Sequence, residues 1–334
     1  MTDLQTPVFE PAYPESARPT LLSANALYLL GAVSVLLLNL FAKQLVELYV
    51  NLTGNHSQIN FLLVVDAVLY SLFFFLPVVL FIRKRGGATL RLSGVGVGIT
   101  ILAFITGVAC MFLANGLSAL WMMLLEALNV PVTRSVIEIA DENQLILGVI
   151  AIGVFPGIFE ELLFRGPILA AYEKGGSRRA IFITGLLFAM MHGSLEGFPA
   201  QFMMGLVLGY AVVSTGSIYA GMMIHTVYNA ASIIFSYAMQ GVVDQSVAEN
   251  SAELTSSDPV TAVVGVLIIT LVAFGIAYPM LRAFGRYRSR HAIALFPKAP
   301  LGMSVGEAIV LISGIVTVVF LYANNIFGLV ERFL

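Results

Sequence analysis

The decapeptide GIFEELLFRG, residues 157–166, places two adjacent glutamates and an arginine inside one of the most apolar regions of the chain. The apolar runs LILGVIAIGVF (residues 145–155) and PILAA (residues 167–171) enclose it. A charged side chain at the centre of a bilayer costs about 2.5–3.5 kcal/mol even on the lowest insertion scales. We therefore expect Glu160, Glu161 and Arg165 to face the interior of a bundle of membrane helices.

Composition indicates the class of protein. The 334 residues are 59% hydrophobic and only 11% charged, whereas a soluble domain has about 25% charged residues. Such a composition is typical of a polytopic membrane protein. The net charge of −2 argues against a nucleic-acid partner. The single cysteine, Cys110, excludes a disulfide framework and a cysteine metal site.

Nine apolar segments follow one another along the chain, and most reach the ~20 residues that a spanning helix needs. We predict an all-α, polytopic membrane helix bundle of about eight or nine transmembrane helices around a polar intramembrane cavity. The segments are residues 25–45, 59–82, 95–128, 145–171, 179–194, 199–214, 217–239, 260–282 and 304–328.

Four parts of the chain have different expected roles. Residues 1–23 are polar and proline-rich and predict a disordered cytoplasmic tail. Residues 24–143 and 241–334 are expected to form N-terminal and C-terminal transmembrane helices around a core over residues 144–240, which carries the polar motifs.

Basic residues predict the orientation. They concentrate in loops that lie on one side if the segments alternate, at residues 83–91, 174–179 and 282–298, whereas residues 244–258 on the other side are acidic. The positive-inside rule then places the N-terminus in the cytoplasm. We expect an integral, multi-pass membrane protein whose C-terminus lies outside if all nine segments cross.

Helical geometry divides the polar residues of the core. Glu160 and Glu161 are ~100° apart around a helix axis, so they point in different directions. Arg165 follows Glu161 by four residues, the spacing at which opposite charges meet on one face. This pairing leaves Glu160 to face a cavity. In HTVYN, His225 and Asn229 share a face through the same spacing.

Depth in the membrane provides an independent argument. At 1.5 Å per residue, Glu160 lies ~18 Å from the cytoplasmic end of its segment, His192 of FAMMH ~20 Å, His225 ~12 Å and Asn229 ~18 Å. All four side chains therefore fall in one slab near mid-membrane. Polar residues with unrelated structural roles have no reason to agree in this way.

Three motifs together resemble a known family. EELLFRG, FAMMH and HTVYN are similar to the motifs EExxxR, FxxxH and HxxxN/D of the CPBP intramembrane proteases, which include type II CAAX prenyl endopeptidases and the Abi and bacteriocin-processing or immunity proteins. The stretch GLVLGYAVVSTGSIYAGMMIH, residues 205–225, also resembles the family. The resemblance covers about residues 145–235. Each motif alone is weak, but three in order on separate segments are specific.

The resemblance implies a catalytic mechanism. Glu160 would act as general base on a water molecule that His192 helps to position. The water would attack a peptide carbonyl of a membrane-embedded or lipidated substrate. His225 and Asn229 would donate hydrogen bonds to the developing oxyanion. The sequence does not indicate the substrate, the oligomeric state or the source organism.

The part played by a metal is left open by the sequence. Glu160, His192 and His225 are residue types that ligate Zn²⁺ with an open position for water. The chain has no HExxH, however, and the ligands would come from three helices. Although the family is usually described as metallopeptidases, we lean to a metal-free, glutamate-driven reaction.

Other polar residues of the spans favour structural roles. Glu161 and Arg165 alone are more often a buried structural ion pair than a catalytic one, and we expect them to support the site. Phe188 is expected to pack as a cavity wall. Asp66 is expected to form an interhelical hydrogen bond or to line the cavity.

A non-enzymatic function remains the alternative. Intramembrane carboxylates and histidines also build proton relays, so a proton-coupled transporter or a membrane scaffold such as an immunity protein would use the same polar core. Many transporters consist of two related halves. We find no such internal symmetry, which favours the protease.

Overall fold

The computed structural model describes most of the chain. The described residues are 13–14, 17–54, 60, 63–65, 68–69, 71–85, 87–130, 139–249 and 259–327. Their regular structure is helical throughout, with no strand in these ranges. The predicted all-α fold is confirmed.

Within the described residues, nine helical stretches correspond to the nine apolar segments. We number them α1 to α9; α2 begins with a π-helical turn, and α4 contains two π-helical turns and ends in a 3₁₀ turn. The helices are α1 Leu21–Thr53, α2 over residues 71–85, α3 Val97–Ala127, α4 Glu142–Gly175, α5 Ser177–Met191, α6 Phe198–Thr215, α7 Ile218–Glu249, α8 Pro259–Arg290 and α9 Val305–Phe327.

Seven of these helices, within the described ranges, are long and apolar enough to cross a membrane. The other two are α2, whose apolar stretch Phe73–Arg83 is short, and α5, which has 15 residues. The predicted number of eight or nine is therefore approximate, because short helices inside a bundle produce the same apolar signal as spanning ones.

Local sequence explains where several helices begin and end. The Thr20 and Asp141 side chains accept hydrogen bonds from the backbone N–H groups of Ser23 and Gln144, which caps α1 and α4. At the end of α6, Gly216 adopts the left-handed conformation at φ 66° that favours glycine.

The surface of the bundle is suited to lipid. On α8, the side chains of Ile268, Ile269, Leu271 and Val272 are each more than half exposed. In water a continuous apolar surface of this kind promotes association, whereas in a bilayer it contacts acyl chains. The chain is an integral, multi-pass membrane protein.

The segment before α1 is packed on the bundle at Tyr13. This side chain is buried, and its hydroxyl donates to Glu173 Oε2 at 2.5 Å, at the end of α4. The disordered tail expected over residues 1–23 stays a prediction, although the polar composition did not indicate the buried acceptor of Tyr13. Asp66 lies outside the described residues.

Candidate active site

Two glycines allow α4 to pack closely against α7. A Cβ atom at Gly157 would lie 2.3 Å from Thr226 Oγ1, and one at Gly153 would lie 3.3 Å from Ala230 Cβ. The close approach places the turn that carries Glu160 and Glu161 beside the part of α7 that carries His225. The sequence GVFPG is a GxxxG pattern, so its spacing was an available signal for this helix contact.

Glu161 connects α4 with α7. Its Oε1 atom lies 2.9 Å from Arg165 Nη1, in the ion pair that the spacing of four residues predicts. The same oxygen lies 3.0 Å from Nδ1 of His225 on α7. Glu161 and Arg165 are 0% and 1% exposed, so neither charge has water to replace its partner. The pair therefore also fixes the orientation of the His225 ring, which the sequence did not indicate.

Arg165 is held from a further side by α5 and α6. Its Nη2 donates to the carbonyl oxygen of Gly205 at 3.2 Å, and its guanidinium lies over the Phe188 ring, 4.4 Å from the centroid. Such cation–π contacts strengthen when the cation is desolvated. Phe188 thus contacts the supporting arginine and, edge to face, both histidine rings, at centroid distances of 4.9 Å for His192 and 5.6 Å for His225.

Glu160 lies beside the other nitrogen of the His225 ring. Its Oε2 atom is 3.9 Å from His225 Nε2, and its side chain is buried. This separation exceeds hydrogen-bond length, and a water molecule can bridge polar atoms at such a distance. The two adjacent glutamates therefore approach opposite nitrogens of one imidazole.

His192 lies at the end of α5, where it is the C-cap residue. Its Nδ1 is 2.9 Å from the carbonyl oxygen of Phe188, so the proton of a neutral ring is placed on Nδ1 and Nε2 remains an acceptor. Its side chain is exposed, unlike that of His225. His192 is linked to His225 and Arg165 through Phe188, which contacts all three side chains.

Asn229 faces the backbone of α4. Its Nδ2 donates to the carbonyl oxygen of Ile152 at 3.1 Å, inside the π-helical turn Val149–Val154. Pro156, four residues after Ile152, has no N–H with which to satisfy that carbonyl. The proline and the π turn thus provide an acceptor for one N–H of the Asn229 amide, while His225 contacts Glu161 in another part of α4.

Gly221 was not singled out from the sequence, although it precedes His225 by one helical turn. A Cβ atom there would lie 2.6 Å from Glu161 Oε2 and 2.7 Å from Val212 Cγ2. Only a glycine therefore leaves room for the Glu161 carboxylate between α6 and α7. The signal available in GMMIH was the spacing of four residues between the glycine and the histidine.

The described side chains do not form a preassembled group of ligands for a metal ion. Among them, no three His, Cys, Asp or Glu residues form a group that could hold one. Both candidate histidines hydrogen-bond through Nδ1, to the Phe188 carbonyl and the Glu161 carboxylate, an arrangement that metal-ligating histidines also adopt when they bind through Nε2. Metal ligation by Glu160, His192 and His225 stays a prediction, and the reaction proposed below needs only the side chains and a water molecule.

Part of the chain matches a known family model. Residues 142–231 match the model described as Type II CAAX prenyl endopeptidase Rce1-like, from the start of α4 to the middle of α7. No curated protein and no solved structure matches the chain. The matched segment is under a third of the chain and contains every residue of the candidate site. The match supports the resemblance of this segment to the CPBP family of CAAX-type proteases.

Proposed function

We propose that this protein is an intramembrane endopeptidase that hydrolyses a peptide bond of a membrane-embedded or lipidated substrate. The observation that carries the proposal is the arrangement of Glu160 and Glu161 on either side of His225, with Arg165 as counter-ion, inside the segment that matches the protease family. Structural ion pairs need one carboxylate; here a second one is placed beside the same imidazole.

In the proposed reaction, Glu160 acts as the general base. It accepts a proton from a water molecule while the water oxygen forms a bond to the carbonyl carbon of the substrate, which becomes a tetrahedral oxyanion. Glu160 then delivers that proton to the amide nitrogen as the C–N bond breaks, so the products are a carboxylic acid and an amine. His192, with Nε2 available as an acceptor, helps to orient the water.

His225 is suited to stabilise the oxyanion. Because Glu161 holds its Nδ1 at 3.0 Å, a protonated ring directs its second N–H towards the side of Glu160.

Asn229 is proposed as a second donor to the oxyanion. An asparagine amide has two N–H groups, and the hydrogen bond to Ile152 uses one of them. The other would serve the substrate. This assignment is separate from that of Glu160 and is tested separately below.

The function is tested by comparing membrane proteins from cells that contain the wild type or Glu160→Gln. New peptide termini within or beside membrane segments are expected with the wild type and with the control variant, and not with Glu160→Gln. Glu142→Gln is the matched control, since Glu142 is an exposed glutamate at the first turn of the same helix. A Glu160→Gln sample with the wild-type set of termini would contradict the proposal and favour a scaffold or a proton-coupled transporter.

A further inference from the structure

Two cavities lie one after the other between α3 and α8, away from the candidate active site. We call the first the head pocket. It has a volume of about 430 Å³, and its lining includes Ile99 and Leu102 of α3, Arg286 and Arg290 of α8, and the adjoining His291. Arg286 and Arg290 are four residues apart, so both guanidinium groups lie on the same face of α8.

The second cavity, the chain groove, is apolar. It has a volume of about 390 Å³ and its side chains are hydrocarbon or aromatic. Its lining includes Ile105, Phe112, Ile268, Ile269, Val272 and Ile276.

The same helix pair forms both cavities. A Cβ atom at Gly116 would lie 2.2 Å from Thr270 Oγ1, so the two helices are in close contact there. The groove extends from this contact towards the basic end of α8. Leu102 of the head pocket and Ile105 of the chain groove are less than one turn apart, and Ile99 to Phe112 spans ~20 Å of helix. This length is comparable to one leaflet of a bilayer with its polar head groups.

We propose that an anionic phospholipid binds across α3 and α8, with its phosphate in the head pocket and one acyl chain in the chain groove. Charge selects the occupant, because neither set of lining residues contains an acidic side chain and the head pocket contains two arginines. A free phosphate would leave the apolar groove uncovered. A neutral lipid would not compensate the two guanidinium charges.

Native mass spectrometry of the purified full-length chain in a neutral detergent tests the head pocket. Phosphatidylglycerol is expected to remain bound in preference to phosphatidylcholine with the same acyl chains. Arg286→Gln and Arg290→Gln are each expected to weaken phosphatidylglycerol binding about fivefold, since a basic residue near an anionic membrane surface contributes about 1 kcal/mol. Arg288→Gln is the matched control, because Arg288 is on the same helix but does not line the pocket.

The chain groove is tested with Ile269→Trp, which fills it, against Leu271→Trp, an equally exposed position outside its lining. Only Ile269→Trp is expected to weaken binding, by about tenfold if most of the chain contact is lost. Equal retention of both lipids, an equal effect of Arg288→Gln, or no effect of Ile269→Trp would overturn the proposal. So would competition by glycerol phosphate at the lipid's own concentration, which would indicate a simple anion site. None of these results depends on protease activity.

Discussion

Two buried glutamate–arginine pairs of this protein have different surroundings. The first, the central cluster, consists of Glu160, Glu161, Arg165 and His225. The second, the end cluster, consists of Arg91, Glu173, Tyr13 and Ser177 at the loop end of α4. In the end cluster, Glu173 Oε1 accepts from Ser177 at 3.0 Å, while Oε2 accepts from Tyr13 at 2.5 Å and pairs with Arg91.

This difference supports the proposal of different roles for the two clusters. Every oxygen of Glu173 has a donor, and the same Ser177 hydroxyl also accepts from the backbone N–H of Phe296, so the end cluster fastens the loop before α9 to α4. In the central cluster the Glu160 carboxylate lies 3.9 Å from Nε2 of His225. A water molecule can bridge two polar atoms at this distance. We infer that the end cluster stabilises the fold and that the central cluster acts on a substrate.

The largest effect on stability is expected where an arginine is removed from either cluster. Arg165→Met and Arg91→Met should each lower the free energy of unfolding by about 3–5 kcal/mol, because each leaves a buried carboxylate without its counter-ion. Equilibrium unfolding of the purified protein in mixed micelles measures this. In this respect the two clusters should behave alike.

Two controls accompany these variants. Lys298→Met removes an exposed positive charge and should leave stability within about 0.5 kcal/mol of the wild type. Glu161→Gln combined with Arg165→Met removes both charges and should recover much of the loss. If both single variants were as stable as Lys298→Met, the ion pairs would not hold the bundle together.

A smaller effect on the free energy of unfolding is expected from Gly221→Ala. This variant distinguishes the two clusters, because only the central cluster contacts Gly221. The added methyl group would meet Glu161 Oε2 and Val212, and overpacking of this kind costs about 1–3 kcal/mol. Displacement of Glu161 should also lower the turnover of a substrate identified by comparing membrane proteins from wild-type and Glu160→Gln cells. Unfolding and cleavage are measured on the same preparation.

Gly265→Ala is the matched control for this prediction. It lies on the exposed side of α8, with no heavy atom within 4 Å of the added Cβ. Its stability should equal or slightly exceed that of the wild type, because alanine favours the helix. An equal loss in both variants would mean that the position of Glu161 does not depend on the room left by Gly221.

The smallest effect on stability is expected from Asn229→Ala. Loss of the hydrogen bond to Ile152 should cost about 1 kcal/mol. Turnover should nevertheless fall by about 10²-fold or more, because removing one oxyanion donor has an effect of this size. A variant that keeps the wild-type turnover would show that Asn229 only braces the π turn of α4.

The sequence was sufficient to predict a contact between two side chains when both lie on the same helix. The ion pair of Glu161 with Arg165 follows from their spacing, and it is present at 2.9 Å. The all-α fold follows from nine apolar segments. Orientation, membrane depth and the four-part division of the chain stay predictions, because the positions of the helices alone do not place the lipid.

The sequence did not predict which side chains of different helices contact each other. The hydrogen bond between His225 and Glu161 depends on how closely α4 and α7 pack, which Gly157 and Gly153 determine. From the sequence, Arg91 was one of several charged residues in a basic loop. In the structure it is 3% exposed and paired with Glu173. The GxxxG spacing of Gly153 and Gly157 indicates a close helix contact but not which side chains meet across it, and the position of Arg91 has no comparable signal.

The central claim is that Glu160 does the chemistry that Glu173 does not. The most direct measurement compares single-turnover cleavage and thermal unfolding of Glu160→Gln and Glu173→Gln, both purified and returned to the same lipid. We expect Glu160→Gln to unfold near the wild-type temperature and to cleave nothing. Glu173→Gln should unfold at a lower temperature and cleave at the wild-type rate per folded molecule. Cleavage by Glu160→Gln at the wild-type rate would contradict the account.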